Sequence, residues 1–455
     1  MTKTTVTRPQ KSLLKQMIQS QVIGSDKRIY WLNAIVLDDE ILQFYYYKFP
    51  FSLNVVLLDK SDFRIIIWKS VTPLWQTRTR LQPLKMTQKE NILILTYHAQ
   101  DKKLQKKFHL HSLDKIRQVK CTPVLKRTLK NPILKPDVNH GWESAAVFNS
   151  AALYLENKVH FIYRAVTSTG ESVLGHALSD DGVHIKERSS QPVYRSQQDT
   201  HFEPAKGLQS SFLYCSGNSW SGCEDPRLTH INDTIYMTYT AFDAHQPPFM
   251  ALTSISVTDF LKQHWHWQKP IQISPPREMH KNWVIFPEKI KGCYAILHSL
   301  TPTISIEYVQ TIDHTTMIQS HYSPQHNSMQ WDNWMRGVGP PPLKTKAGWL
   351  ILYHAMDRND PNKYKLGAML LDLNDPTKIL GRSSGPILEP QAVYENEGYK
   401  QGVVYACGAV IMDKTLIVYY GAADTVLCAA SILLNTLLAG IQNKHAIKLI
   451  THKRK

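Results

Sequence analysis

Gly222-Cys223-Glu224-Asp225-Pro226-Arg227 sets two carboxylates and a guanidinium close together along the chain. The glycine before them and the proline among them fix a turn, so these groups are presented from rigid backbone just ahead of an alternating strand, Thr234 to Tyr239. An Asp-Pro pair alone is a turn signal. A carboxyl beside a cation is also equipment for proton transfer and anion binding. Groups of the same kinds punctuate the rest of the chain: Asn149-Ser150 interrupting a small apolar run, Arg164 after Tyr163, Phe286-Pro287-Glu288-Lys289, His298 after Leu297, His354 after Tyr353, and Asp424 closing Gly421-Ala422-Ala423-Asp424. Each has a plainer reading, with Asn149 a turn former, His298 or His354 a hydrogen-bonded core histidine, and Asp424 a cap or turn residue.

Five times after residue 140 a polar turn leads into an alternating apolar strand, ending at Tyr163-Arg164-Ala165, Tyr239-Thr240-Ala241, Leu297-His298-Ser299, Tyr353-His354-Ala355 and Tyr419-Tyr420-Gly421. The copies are roughly 55 to 75 residues apart, enough for one four-stranded sheet plus loops. Side chains alternate across a strand, so a polar residue one step past the buried aromatic projects to the opposite face, and Arg164, His298 and His354 are expected to converge on one pocket. Pro-apolar segments at Gln191-Pro192-Val193-Tyr194, Lys269-Pro270-Ile271, Pro340-Pro341-Pro342-Leu343 and Gly385-Pro386-Ile387-Leu388 mark the boundaries between units, because proline is admitted at strand starts and edges. The fold class expected is all-β: a five-bladed β-propeller over 126–455, preceded by a small β-rich sandwich or barrel domain over 1–125. Lys126 to Pro136 reads as a linker entering a blade, and Ala429 to Ile441 as a helix or the strand that closes the ring.

In the first domain, runs such as Ile41-Leu42-Gln43-Phe44-Tyr45-Tyr46-Tyr47 and Phe63-Arg64-Ile65-Ile66-Ile67-Trp68 are rich in β-branched and aromatic residues and bounded by polar turns. Trp31, Trp68 and Trp75 are candidates for sugar or anion contact, packing being the commoner use. Only the segment before about residue 25 looks helical or loose. The formal net charge of +16 is concentrated early: the first 130 residues hold 24 Lys and Arg against 9 Asp and Glu. Lys102-Lys103 with Lys106-Lys107, and Lys126-Arg127 with Lys130, suit either a solvated basic face, the plainer reading, or contact with a polyanion.

No run of eighteen apolar residues and no apolar leader is present, which points away from a membrane partner. The six cysteines follow no CxxC or framework spacing, as reduced thiols of a cytoplasmic protein would. His264 and His266 alternate with Trp265 and Trp267 in an expected strand, and His109 and His111 flank Leu110; neither pair has a third ligand, so no metal is expected. Phosphate-loop and dinucleotide glycine motifs are absent, and no cofactor is expected. An oligomer is compatible with the sequence.

Taken in order, Val147-Phe148-Asn149, Tyr163-Arg164-Ala165, Glu224-Asp225-Pro226-Arg227, Phe286-Pro287-Glu288-Lys289, Gly348 to His354, Leu366-Gly367-Ala368 with Leu371-Asp372-Leu373, Pro386-Ile387-Leu388 and Gly421 to Asp424 resemble glycoside hydrolase family 130. These are the mannoside phosphorylases and related β-mannosidases, built on a five-bladed propeller. The resemblance spans about residues 130 to 430. It implies Asp225 as catalytic acid, inorganic phosphate as co-substrate held at Arg164, Lys289 and His354 with Arg227, and a sugar site lined by Asn149, Ser150, His298, Glu395 and Asp424. An inverting phosphorylase needs one protonated carboxyl, because phosphate itself attacks the anomeric carbon; in part of the family the proton passes through a sugar hydroxyl. A hydrolase needs a second carboxylate as base, for which Glu143, Glu224, Glu288 and Glu395 are available. Ser299 stands where the family often has Arg. Inverting phosphorolysis of a β-mannoside or oligosaccharide is the reading the resemblance favours, with an inverting β-mannosidase and a non-catalytic glycan-binding propeller as alternatives.

Overall fold

The computed structural model describes residues 30–36, 40–48, 50–59, 66–69, 73–89, 92–109, 124–195, 217–243, 246–312, 317–320 and 331–441. The segment before residue 25, the basic tail from Lys444, Cys121, Cys215 and His111 lie outside them. Two compact units form, Met1–Val124 with Asn443–Lys455, and Leu125–Gln442.

In the first unit β1 (Tyr30–Val36), β2 (Glu40–Tyr47), β3 (Phe51–Asp59) and β4 (Ile66–Lys69) pair antiparallel in that order, with β5 (Trp75–Thr77) on β3. A second antiparallel sheet holds β6 (Gln82–Lys89), β7 (Ile92–Ala99) and β8 (Lys102–His109). Alternation aims Phe44, Leu53, Val55 and Leu57 of one sheet and Met86, Leu93, Leu95 and Phe108 of the other into one core, so the two sheets pack face to face. Trp75 lies edge-on to Phe51 with ring centroids 5.3 Å apart, and Trp31 packs on Tyr45, so both serve packing. The side chain of Trp68 is outside the described set.

The second unit is built from antiparallel groups. β10 (Ala146–Leu155), β11 (Lys158–Val166), β12 (Glu171–Ser179) and β13 (Glu187–Arg188) form the first, and β14 (Ser221–Ile231), β15 (Thr234–Asp243), β16 (Gln246–Ser256) and β17 (Ile271–Gln272) the second; a short parallel bridge joins β12 to β14. Next come β18 (Val284–Ile285), β19 (Tyr294–Ser299) and β20 (Ser305–Val309), and then β21 (Trp334–Val338), β23 (Gly348–Asp357), β24 (Asp360–Leu371) and β25 (Ile379–Arg382), with β22 (Leu343–Thr345) on β23. The last group is β26 (Val404–Met412), β27 (Thr415–Ala422), β28 (Val426–Leu433) and, from the start of the unit, β9 (Lys126–Arg127).

Both faces of these strands are apolar, and each cluster of buried residues joins one group to the next. Ile162 and Leu174 meet Met237 and Tyr239; Met250 and Leu252 meet Ile285 and Ile296; Leu297 meets Tyr353; Leu352 and Leu366 meet Val418 and Tyr420; and Tyr419 and Leu427 meet Phe161 and Tyr163.

Three local expectations are corrected. Lys126-Arg127 opens not as linker but as an edge strand, paired with Ser431 and Ala430 of β28. Ala429 to Ile441 divides, the strand running to Leu433 and the helix over Leu434–Ile441. His264 to Trp267 is irregular: a five-residue helix, Val257–Leu261, is followed by left-handed Gln263, which turns the chain so that Trp265 and Trp267 pack onto Phe260 and Tyr194. Among the described residues no helix is long and apolar enough to cross a membrane.

Candidate active site

The same irregularity recurs in the opening strands of several groups. Between Phe148 and Ala151 the β10–β11 register gains a residue, placing Asn149-Ser150 opposite Tyr163; between Glu224 and Arg227 the β14–β15 register does likewise, placing Asp225-Pro226 opposite Tyr239. These are β-bulges, which bend a strand and re-aim its side chains. Asn149 and Asp225 take up left-handed backbone there, at φ 46° and 51°. Asn and Asp tolerate that conformation best among residues with side chains, and Pro226 suits a bulge because it has no ladder hydrogen to lose. The two re-aimed side chains meet: the Asn149 amide donates to Asp225 Oδ1 at 2.8 Å. Gly421 backs this contact, since a Cβ there would stand 2.0 Å from Asn149 Oδ1. Further bulges leave Arg336 and Cys407 as the extra residues of β21 and β26.

Around Asp225 the charges are dense and buried. Arg164 donates through Nη1 to Asp225 Oδ1 at 3.3 Å, through Nη2 to Glu224 Oε1 at 2.9 Å and Ser219 Oγ at 2.8 Å, and through Nε to Ser172 Oγ at 2.9 Å. Lys281 Nζ reaches Glu224 Oε2 at 3.1 Å. Arg227 donates to the carbonyls of Gly339 and Asp225 and to Asn282 Oδ1 at 2.9, 2.6 and 2.7 Å, and Tyr405 completes that network through its hydroxyl. Burial alone would raise the Asp225 carboxyl, but Arg164, Arg227, Lys281 and the Asn149 amide outweigh it and hold Asp225 below the usual carboxylate range.

Asp424 is the opposite case. It sits at left-handed φ 49° in the turn after β27, and burial pushes its carboxyl up to about 6 against the pull of Lys400 and Arg164, with Asp225 and Glu224 pushing the same way as burial. A carboxyl raised on folding favours the native state at low pH and loses that contribution as pH rises through its folded value. Asp424→Asn is therefore expected to melt with the wild type at pH 4 and above it at pH 7.5, the gap opening as pH rises to about 6 and reaching roughly 2 to 3 kcal/mol. Thermal melts of both proteins across that range check the sign.

The structure brings together Asn149, Arg164, Asp225, Arg227 and Asp424, and separates other residues expected at the site. Lys289 is exposed, its ammonium over the Tyr294 ring at 4.4 Å, because it follows β18 into the outward turn to β19. His354 is buried and stacked on Tyr405 with ring centroids 3.9 Å apart, and its Nε2 accepts from the Ala406 amide at 2.9 Å. Burial, reinforced by Arg227, pushes its imidazole down to about 3, so it supplies no cation to an anion. Arg227 spends its donors on main chain, Asn282 and Tyr405. Ser150 turns its hydroxyl to the Ala151 carbonyl at 2.7 Å.

Glu395 is also taken up structurally. It forms a two-pronged ion pair with Arg127 at 2.7 and 2.8 Å and accepts from the Tyr420 hydroxyl and the amides of Gln391 and Ala392. Glu395→Gln strips the charge from this buried pair and is expected to lower stability by about 3 kcal/mol, as breaking such a pair does, while activity per folded molecule holds. Urea unfolding together with an assay on the folded fraction separates the two.

Beside the charged cluster opens a cleft of about 410 Å³, including space open to solvent, whose lining includes Lys281, Asn282, His298, Ser299, Ser320 and Arg336. His298 faces it from a hydrogen bond with Ser320 Oγ at 2.8 Å, and burial with nearby His280 pushes its imidazole down to about 4, leaving it neutral near pH 7. Lys281, Asn282 and Arg336 were not singled out in the sequence. The available signal was His280-Lys281-Asn282-Trp283, a basic and amide pair just ahead of β18, where Asn282 turns left-handed at φ 69° against Gly337.

A carboxylate held by guanidinium and amide donors at paired bulges, beside a cleft edged with cations and hydroxyls on an all-β frame, is a site of the carbohydrate-active kind. The glycoside hydrolase family 130 model, described as beta-1,4-mannooligosaccharide phosphorylase, matches residues 125–442, and the chain belongs to that family. It is therefore an enzyme acting on glycosides. The chain is 38% identical over 320 residues to a 1,2-beta-oligomannan phosphorylase of Thermoanaerobacter sp. (strain X514), an alignment covering 67% of this chain and 96% of that protein. It is 34% identical over 314 residues to a beta-1,2-mannobiose phosphorylase of the same strain, covering 66% and 94%. The structure of the beta-1,2-mannobiose phosphorylase of Listeria innocua with beta-1,2-mannobiose matches with a TM-score of 0.53 at 25% identity, over 70% of this chain and 99% of that one.

Proposed function

We propose that the second unit is a five-bladed propeller that catalyses inverting phosphorolysis of β-mannosides, the β-1,2 linkage being the first to test. The five strand groups and the five apolar clusters that join each to the next, the last returning to the first, support the propeller. In the reaction a phosphate oxygen bonds to the anomeric carbon as the glycosidic C–O bond breaks, and the departing oxygen takes a proton supplied by Asp225, giving a mannose 1-phosphate of inverted configuration.

The observation that carries this reading is the cation balance. Asp424 is largely uncharged below about pH 6, so among the described residues the carboxylates paired with Arg164 and Lys281 are Glu224 and Asp225, with Arg227 beside them, and Arg336 lines the same cleft as Lys281. A surplus of positive charge at a hydroxyl-lined cleft suits phosphate. The carboxylates a hydrolase would use as base are meanwhile engaged: Glu143 by Arg188 and the Tyr163 hydroxyl, Glu224 by Arg164 and Lys281, Glu288 by Lys344, and Glu395 by Arg127. Incubation of a β-1,2-mannobiose with and without phosphate tests it. Mannose 1-phosphate formed only with phosphate is the expected product, and equal release of free mannose without phosphate would replace the proposal with a hydrolase.

A further inference from the structure

The first 124 residues lie outside the family match, although the alignments to the Thermoanaerobacter proteins cover those relatives almost end to end. Within that segment, the β6–β8 sheet has two unlike faces. Met86, Leu93, Leu95 and Phe108 point into the sandwich core, so the residues between them point the other way. Register places Lys107 beside Ile94 and Thr87, Lys103 beside His98, Gln105 beside Thr96 and Lys85, and Lys89 beside Ile92 and His109. Lys85, Lys89, Lys103 and Lys107 are all exposed, none pairs with a carboxylate among the described residues, and the three strands contain no Asp or Glu. Strands lie about 4.8 Å apart and rise about 3.4 Å per residue, and the register staggers the two lysine pairs by two residues, so the four ammonium groups span a face on the order of 10 by 20 Å.

We propose that this face is a docking surface for an anionic polysaccharide. A flat patch of single point charges, separated by Thr, Gln and Ile, matches a chain whose anionic groups are spaced by uncharged sugar. The three strands carry no arginine for forked phosphate or base contacts, and the rings on this face are the imidazoles of His98 and His109 at its two ends, with no Phe, Tyr or Trp to form a stacking platform, which disfavours nucleic acid. Its apolar members, Ile92 and Ile94, are half-buried between longer neighbours, so it lacks the projecting residues that enter a membrane surface. Membership of a glycoside-acting family supplies the reason for a glycan-directed module on the same chain.

The test uses the full chain with dextran sulfate as probe and uncharged dextran as control. Replacing Lys85, Lys89, Lys103 and Lys107 together by Gln is expected to weaken dextran sulfate binding at least tenfold near physiological salt. The slope of log affinity against log salt should flatten by about 0.7 for each sulfate that the removed lysines had neutralised. Turnover of a small neutral mannoside should not change. A charge-matched variant with Lys291, Lys346, Lys378 and Lys414 of the second unit replaced by Gln should bind within threefold of the wild type. Equal binding by the first variant, an equal loss in the second, or tenfold tighter binding to duplex DNA or phosphatidylserine vesicles would each overturn the proposal; matching melting curves ensure that folded proteins are compared.

Discussion

Asp225→Asn is expected to lower kcat by about 10² to 10⁴, the usual contribution of a positioned general acid, measured per folded molecule. The substitution keeps the side chain's shape but removes its proton. It also strips the charge from a buried pair with Arg164, so stability should fall as it does for Glu395→Gln, although the contacts of Arg164 to Glu224, Ser172 and Ser219 can persist. The free protein holds Asp225 ionised, through Arg164, Arg227 and Lys281 acting against burial. On the proposed phosphorolysis, phosphate entering beside Lys281 would offset part of that positive field and favour the protonated form of Asp225. The basic limb of the kcat profile, which reports the loaded enzyme, should therefore lie at higher pH than that of kcat/KM for phosphate, which reports the free enzyme. Full activity of Asp225→Asn would remove Asp225 from the mechanism, and coincident limbs would remove the phosphate coupling.

Lys281→Ala should raise the KM for phosphate by about 10- to 100-fold, the range of one charge-assisted hydrogen bond, while mannoside binding changes far less. Lys289→Ala is the informative companion. Both are lysines near the start of the third strand group, but Lys289 lies over the Tyr294 ring on the outside, whereas Lys281 bonds Glu224 and edges the cleft. Steady-state rates with varied phosphate should show Lys289→Ala indistinguishable from wild type. The reverse outcome would place the phosphate site elsewhere.

The alternation of Val147-Phe148 against Asn149-Ser150, the aromatic strand ends at Tyr163, Tyr239, Tyr353 and Tyr419, and the Glu224 to Arg227 string were legible because each follows a local rule: strand period and the backbone limits of glycine and proline. The concentration of lysines before residue 130 was equally plain, since charge is a property of composition. What the sequence left undecided is which of two chemically equal groups faces inward. Lys281 and Lys289 are the same residue type eight positions apart, but the first precedes β18 and bonds Glu224 at the cleft, whereas the second follows β18 and lies exposed over the Tyr294 ring. His354 and Glu395 have the right chemistry for a sugar or phosphate contact. Burial neutralises the first, and Arg127, almost the length of the unit away in sequence, occupies the second. Sequence alone thus determined the recurring strands and the stock of charged groups, whereas the Gly222 to Arg227 string, expected as a turn ahead of a strand, proved to be a bulge inside β14. Tertiary structure decided which charges meet, because their partners come from different strand groups and desolvation acts only where those groups pack together.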